Sequence, residues 1–281
     1  MRACLRKTGR SRKAISPAIS SVILTGVIVV LLLIVVVFAN SFLNDRLAEN
    51  EFSAMKQFMQ TISLQIDDVA WTIGRTQTTR YASQFGTLSF ETRALNYSIY
   101  IDSDTTPLFS HSTGMLLFNM PISKYTVSND YRERISPSSN NHFLQTGTSA
   151  PVAHVFVIEK LPMNDGSYIR VVVAPSIRML NSTITINGTQ TNYFKFFLPV
   201  LNAGPAPHYS QSVTLEGTNV LAETKQNVNS IRIHVDFLED SFGFNNNFFG
   251  FYSTDEQINV TSGSTLQFYT GEVETSMGMF A

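Results

Sequence analysis

The chain is expected to be an α+β protein: a long N-terminal helix, transmembrane and then amphipathic, followed by a mainly antiparallel β-sandwich-like head. Three observations carry this. No charged residue occurs between Ala14 and Asn44. From Ala48 to Ile73 apolar residues recur in alternating steps of four and three. Beyond residue 80 the apolar period shortens to two, and turn residues punctuate short segments.

The first element follows from length and apolarity. Val22 to Ala39 is almost wholly apolar and rich in Val and Ile. At a helical rise of about 1.5 Å per residue, Ile15 to Ala39 extends roughly 37 Å, enough to cross a ~30 Å hydrocarbon layer. A secretory signal has a shorter apolar run closed by small residues at a cleavage site. Here Asn40, Ser41, Phe42 and Leu43 follow instead. The apolar segment is therefore expected to remain as an anchor.

Charge is segregated around it. The chain has a formal net charge of −1 over 281 residues. Six basic residues (Arg2, Arg6, Lys7, Arg10, Arg12 and Lys13) and no acidic ones precede the apolar run. Beyond residue 14, fourteen basic residues face twenty-one acidic ones, a net of −7. A basic tip before a mildly acidic body fits a tip held on the cytoplasmic side and a body outside, and argues against a nucleic-acid partner. The single cysteine, Cys4, excludes a disulfide framework within one chain, so the body must fold on its apolar core.

The helix should begin at Ser16 and Pro17, since Ser suits the cap and Pro the first helical position. The junction Arg12-Lys13-Ala14, then Ile15-Ser16-Pro17-Ala18-Ile19, resembles that of archaeal type IV pilins and pilin-like proteins. The likeness covers about the first 40 residues and, more loosely, the layout beyond. Many bacterial pilins have Glu at the fifth mature position, where this chain has Ile19. The resemblance implies that a prepilin peptidase cuts between Ala14 and Ile15, removing the leader and leaving the anchor. It also implies other pilin subunits, an assembly ATPase and a platform protein as partners, besides the lipid bilayer. The plainer reading is an uncleaved signal anchor.

Beyond the anchor, Ala48, Phe52, Met55, Met59, Ile62, Ile66, Val69 and Ile73 form a seam at heptad spacing, and Gly74 is the expected stop. The expected segments are thus a leader (1–14), a long helix (15–75, transmembrane over 15–39) and a β-rich extracellular domain (80–281). The seam needs a cover, either the chain's own C-terminal domain or the same helix of neighbours. Phe58 and Trp71 widen it, which favours packing against a sheet.

In the body, Leu88 and Phe90, then Tyr97, Ile99 and Ile101, alternate with polar residues. Residues 152–161 and 167–174 are expected to form a hairpin about Asp165-Gly166, and 183–200 another about Asn187-Gly188. Residues 212–217 and 230–237 are expected to be separate strands, and 258–269 a hairpin about Ser262-Gly263. The polar stretch 128–141 is expected to be an exposed loop. Regular short strands argue for a two-sheet antiparallel architecture.

Chemistry is sparse. Four Asn-x-Ser/Thr sequons, at Asn96, Asn181, Asn187 and Asn259, are candidate glycan acceptors. Asn96 and Ser98 alternate with Tyr97 and Ile99, so they are expected on a solvent face. His111, His142, His154, His208 and His234 show no ligand spacing, and no metal or cofactor is expected. Asp102-Ser103-Asp104 lacks the rest of a calcium loop. No nucleophile elbow, phosphate loop or His-Glu-x-x-His occurs, so no enzyme is expected. The aromatic segment 242-FGFNNNFFGFYS-253 suits either a subunit contact or a hairpin whose rings enter the core while the Asn residues turn. The expected function is a pilin-like structural subunit, minor rather than major given the size of the head. The alternative is a single-pass, signal-anchored surface protein that binds a ligand without polymerising.

Overall fold

The computed structural model describes residues 17–128, 131–138, 141–159, 166–186, 188–205 and 211–278. Arg12, Lys13, Ala14, Ile15, Ser16 and Asn187 lie outside the described residues. The chain divides into two compact units, one ending at Leu47 and the other beginning at Ala48.

A single helix, α1 (Pro17–Ala70), supplies the first unit and opens the second. In the first unit every described side chain from Ile19 to Arg46 is exposed. The helix is long and apolar enough to cross a membrane.

In the second unit eleven strands follow among the described residues: β1 (Thr76–Arg80), β2 (Thr87–Ile101), β3 (Phe109–Pro121), β4 (Arg132–Ser136), β5 (Leu144–Thr146), β6 (Ala153–Glu159), β7 (Tyr168–Pro175), β8 (Ile177–Ile186), β9 (Thr189–Ala203), β10 (Ser212–Phe237) and β11 (Asp255–Met277). A short helix, α2 (Asn246–Phe249), lies between the last two. The strands do not separate into two hydrogen-bonded sheets. They form one path, β4-β6-β7-β3-β2-β10-β11-β9-β8-β5, with β1 added on β10. Pairing is antiparallel except for β9–β11 and β5–β8, which are parallel.

One face of the sheet receives the amphipathic part of α1. Ala48, Phe52, Met55, Met59, Ile62, Ile66 and Val69 are buried against Leu116, Phe118, Val155, Val157, Val171, Val173, Val213 and Leu215. The opposite face buries Tyr97, Ile99, Phe156, Val172, Ile231, Ile233, Phe196 and Phe268. β6 and β7 lie under both layers, which explains their unbroken apolar runs.

Four expectations are corrected. The helix ends at Ala70, and Ile73 beyond it is 64% exposed. The cause is tertiary: the last turn rests on the sheet backbone, where a Cβ on Gly217 or Gly271 would lie 2.4 Å from the Val69 carbonyl or 2.3 Å from that of Ala70. The chain then turns through Gly74 (φ 78°), whose N–H donates to the Gly217 carbonyl. Secondly, 212–217 and 230–237 belong to one strand, β10, whose middle (221–227) is exposed on both faces and so lacks a strand's alternation. Thirdly, Ser262-Gly263 is no hairpin turn. It lies in an irregularity within β11, between Asn259 opposite Ser230 and Ser264 opposite Val228. Gly263 takes φ 82° there. Finally, the polar stretch 128–141 contains β4, paired with β6.

Candidate functional site

Among the described residues, the exposed apolar half of α1 offers no chemistry beyond its surface. From Val22 to Ala39 side chains are apolar on all sides apart from Thr25, whose hydroxyl donates to the Ser21 carbonyl one turn back (2.9 Å), and the notch at Gly26. A helix apolar all round needs an apolar surrounding on every side.

Within the second unit, polar contacts fix the helix on the sheet around its apolar seam. The Glu51 carboxylate accepts from the backbone N–H of Gln84 (2.8 Å), Phe85 (3.1 Å) and Gly86 (2.9 Å) and from the Ser83 hydroxyl (2.6 Å). Lys56 pairs with Glu133 at 2.6 Å. Asp67 accepts from the Trp71 indole and from Arg178, each at 2.9 Å. Arg178 lies over the Phe197 ring, which Trp71 meets edge-on. Asp67 and Trp71 stand one helical turn apart, but the partners of Glu51 and Lys56, and Arg178 beside Asp67, were not legible beforehand, because each lies far away in the sequence.

The sequons differ. Asn96 is half-buried, and its neighbour Ser98 is buried, contrary to the expected solvent face. β3 lies beside them, and the Asn96 amide bonds to Ser98, Ser110 and Ser112. The Asn181 and Asn259 side chains are exposed on β8 and β11.

The same polar face continues across β10. His234 Nε2 lies 3.0 Å from Asp236, and its Nδ1 lies 3.0 Å from Asp255. Arg232 donates to Asp255 (3.1 Å) and covers the Tyr100 ring. Asp102 pins the chain rather than closing a loop, since its Oδ1 accepts from the N–H of Asn229 (2.8 Å) and Ser230 (3.0 Å). Among the described residues no three His, Cys, Asp or Glu side chains converge to hold a metal ion.

His154 is wholly buried. Arg134 donates to its Nδ1 (3.2 Å), and the Gln145 amide nitrogen lies 3.4 Å from its Nε2. Burial, reinforced by the Arg134 charge, pushes its pKa down to about 3. Half-buried His111 is also lowered by burial, against the pull of Glu223 and Glu272. Burial raises Glu256, beside His142, though His142 itself opposes the shift.

In the aromatic segment, Phe244, Phe248, Phe249 and Phe251 are buried, while Phe242 and Tyr252 are exposed. The Asn245 side chain caps α2 by accepting from the N–H of Asn247 and Phe248. Phe248 and Phe249 meet Phe156 edge-on, and Phe249 stacks on Phe237, closing the second core.

No family model, curated protein or solved structure matches the chain. Its class is therefore stated from its own features: an α+β protein with one N-terminal helix of membrane-crossing length and a large, mostly antiparallel sheet.

Proposed function

We propose that the chain is a membrane-anchored, type IV pilin-like structural subunit. A prepilin peptidase cuts it between Ala14 and Ile15 on the cytoplasmic side. The anchor helix then holds the β-rich head outside the membrane, and the subunit joins or accompanies a surface filament. The observation that carries this reading is the division of α1. Ile19 to Arg46 is exposed throughout and predominantly apolar, whereas Ala48 to Ala70 buries its apolar stripe on the chain's own sheet. A helix so divided can exchange lipid for the helices of other subunits without unfolding its head. The assembly ATPase and platform protein enter only through the sequence resemblance.

The head is read as sandwich-like within its single hydrogen-bonded path. β3 and β9 are not sheet neighbours, yet the Leu201 N–H donates to the Thr113 hydroxyl at 2.9 Å. Glycans are assigned to the exposed Asn181 and Asn259 in preference to Asn96, whose amide is engaged.

A second reading, a signal-anchored binding protein, draws on the polar face of Tyr100, Arg232, His234, Asp236 and Asp255. Intact mass and N-terminal sequencing of the protein from native membranes separate the two. A chain beginning at Ile15 is the expected result. A chain retaining Arg12-Lys13-Ala14 overturns the processing and with it the filament reading.

A further inference from the structure

Strand edges expose unpaired N–H and C=O groups, and folded proteins guard them with brevity, charge, proline or bulges. Most edges here are guarded. β1 and β4 have five residues each and β5 has three. β4 also carries Arg132, Glu133 and Arg134. The open side of β10, between its pairings with β1 and β2, carries Glu223 and Lys225 and has register shifts at Gly217/Asn219 and Lys225/Val228.

β8 has none of these guards along most of its outer side. β5 pairs with it only at Ile177–Met179, so from Leu180 to Ile186 its outer side meets no strand among the described residues. That segment, 180-LNSTITI-186, contains no charge, proline or glycine. The side chains of 181–185 are exposed on both faces. Across from it, β9 is joined by β11 only from Tyr193 onward, so the tip of the β8–β9 hairpin is a two-stranded ribbon. Such an edge is a template on which another strand can pair.

The sequence of the edge selects its occupant. Laid antiparallel on itself about Thr183, it sets Leu180 opposite Ile186, Asn181 opposite Thr185, Ser182 opposite Ile184, and Thr183 opposite its own copy. This register keeps odd positions with odd. The polar set Asn181, Thr183 and Thr185 of both chains then shares one face, and no like charges meet. Seven residues make a strand of ordinary length. We propose that the open edge of β8 pairs with the same edge of a second copy of this chain, as an isologous antiparallel contact centred on Thr183.

The contact does not depend on removal of the leader, so it and the processing reading fail independently. Cysteine at a two-fold centre meets itself. The test is therefore oxidative cross-linking of full-length Cys4→Ser/Thr183→Cys in native membranes, since Cys4 is the single native cysteine. A disulfide-linked dimer is expected, and none from Cys4→Ser/Thr224→Cys on the guarded edge of β10. Absence of the first dimer, or equal yields from both positions, overturns the proposal.

Charge at the same position checks the register. Thr183→Lys and Thr183→Glu each place like charges face to face and should abolish the dimer in sedimentation of the detergent-solubilised full chain. Mixing the two should restore it. Both substitutions remove the Asn181 sequon, so a glycan cannot account for a difference between either alone and the mixture. Persistence of the dimer in either variant alone, or failure of the mixture, overturns the register and the proposal.

Discussion

From Ile19 to Arg46 every side chain of α1 is exposed, and apolar residues occupy all sides of the helix. From Ala48 to Ala70 the same helix is divided lengthwise: Met59, Ile62, Ile66 and Val69 are fully buried, while Leu64 is 71% exposed. The difference lies in what each half is built to meet. Lipid surrounds a helix, so an anchor can be apolar everywhere. A sheet covers one side only, so its helix needs an apolar stripe and polar residues elsewhere. The second half has its cover within its own chain, which leaves that stripe unavailable for a two-stranded stalk.

The strongest way to break this contrast is to place one charge on either side of the divide. Ile62→Asp buries an unpaired carboxylate against the sheet and should cost more than about 4 kcal/mol, enough to unfold the head. Leu64→Asp, two residues on, should change stability by no more than about 0.5 kcal/mol. Denaturant titration in detergent reads both through Trp71, the sole tryptophan, which packs edge-on against Phe197. Equal effects of the two substitutions would mean that the stripe is not seated as described.

Acid should also separate the two regions. No titratable side chain lies between Pro17 and Asn44. The head holds His154 neutral, its pKa lowered from 6.5 to about 3. Between those values the unfolded state binds a proton that the folded state refuses, so stability is fully present above pH 6.5 and falls as pH drops toward 3. The loss from this group is on the order of 2 kcal/mol by pH 5 and grows below it. Unfolding midpoints measured at several pH values should show this slope in the native chain. His154→Gln, whatever its cost at neutral pH, should flatten it.

How much was legible in sequence depends on the range of the interaction. The seam from Ala48 to Val69 could be read because helical periodicity is local. Ile73 continued the same spacing but lies outside the helix, because the stop is set by the backbone of Gly217 and Gly271, about 145 and 200 residues further along the chain. The hairpins β6–β7 and β8–β9 followed from strand-forming runs on either side of Asp165-Gly166 and Asn187-Gly188. The unity of β10 did not, since its middle faces solvent on both sides and shows no period. Asn96 looked like a surface sequon until β3 supplied Ser110 and Ser112. The exposed edge of β8 was spelled out in its uncharged residues, but only the sheet order identified it as an edge.

Glu51 gives the smallest and most selective test of how the second half of α1 is held. Its carboxylate gathers three backbone N–H groups and a hydroxyl from residues 83–86, a segment of loop that no strand satisfies. An ionised acceptor suits such a cluster because both oxygens accept and neither donates. Glu51→Gln keeps the shape but turns an amide N–H₂ toward donors, so one oxygen's partners are lost. A cost of about 1.5–3 kcal/mol is expected, measurable by the same denaturant titration. Amide hydrogen exchange should localise the change, with faster exchange at Gln84, Phe85 and Gly86 and unchanged protection in β6 and β7. Uniform loosening of the sheet would instead make Glu51 part of the global core rather than a local clasp between helix and loop.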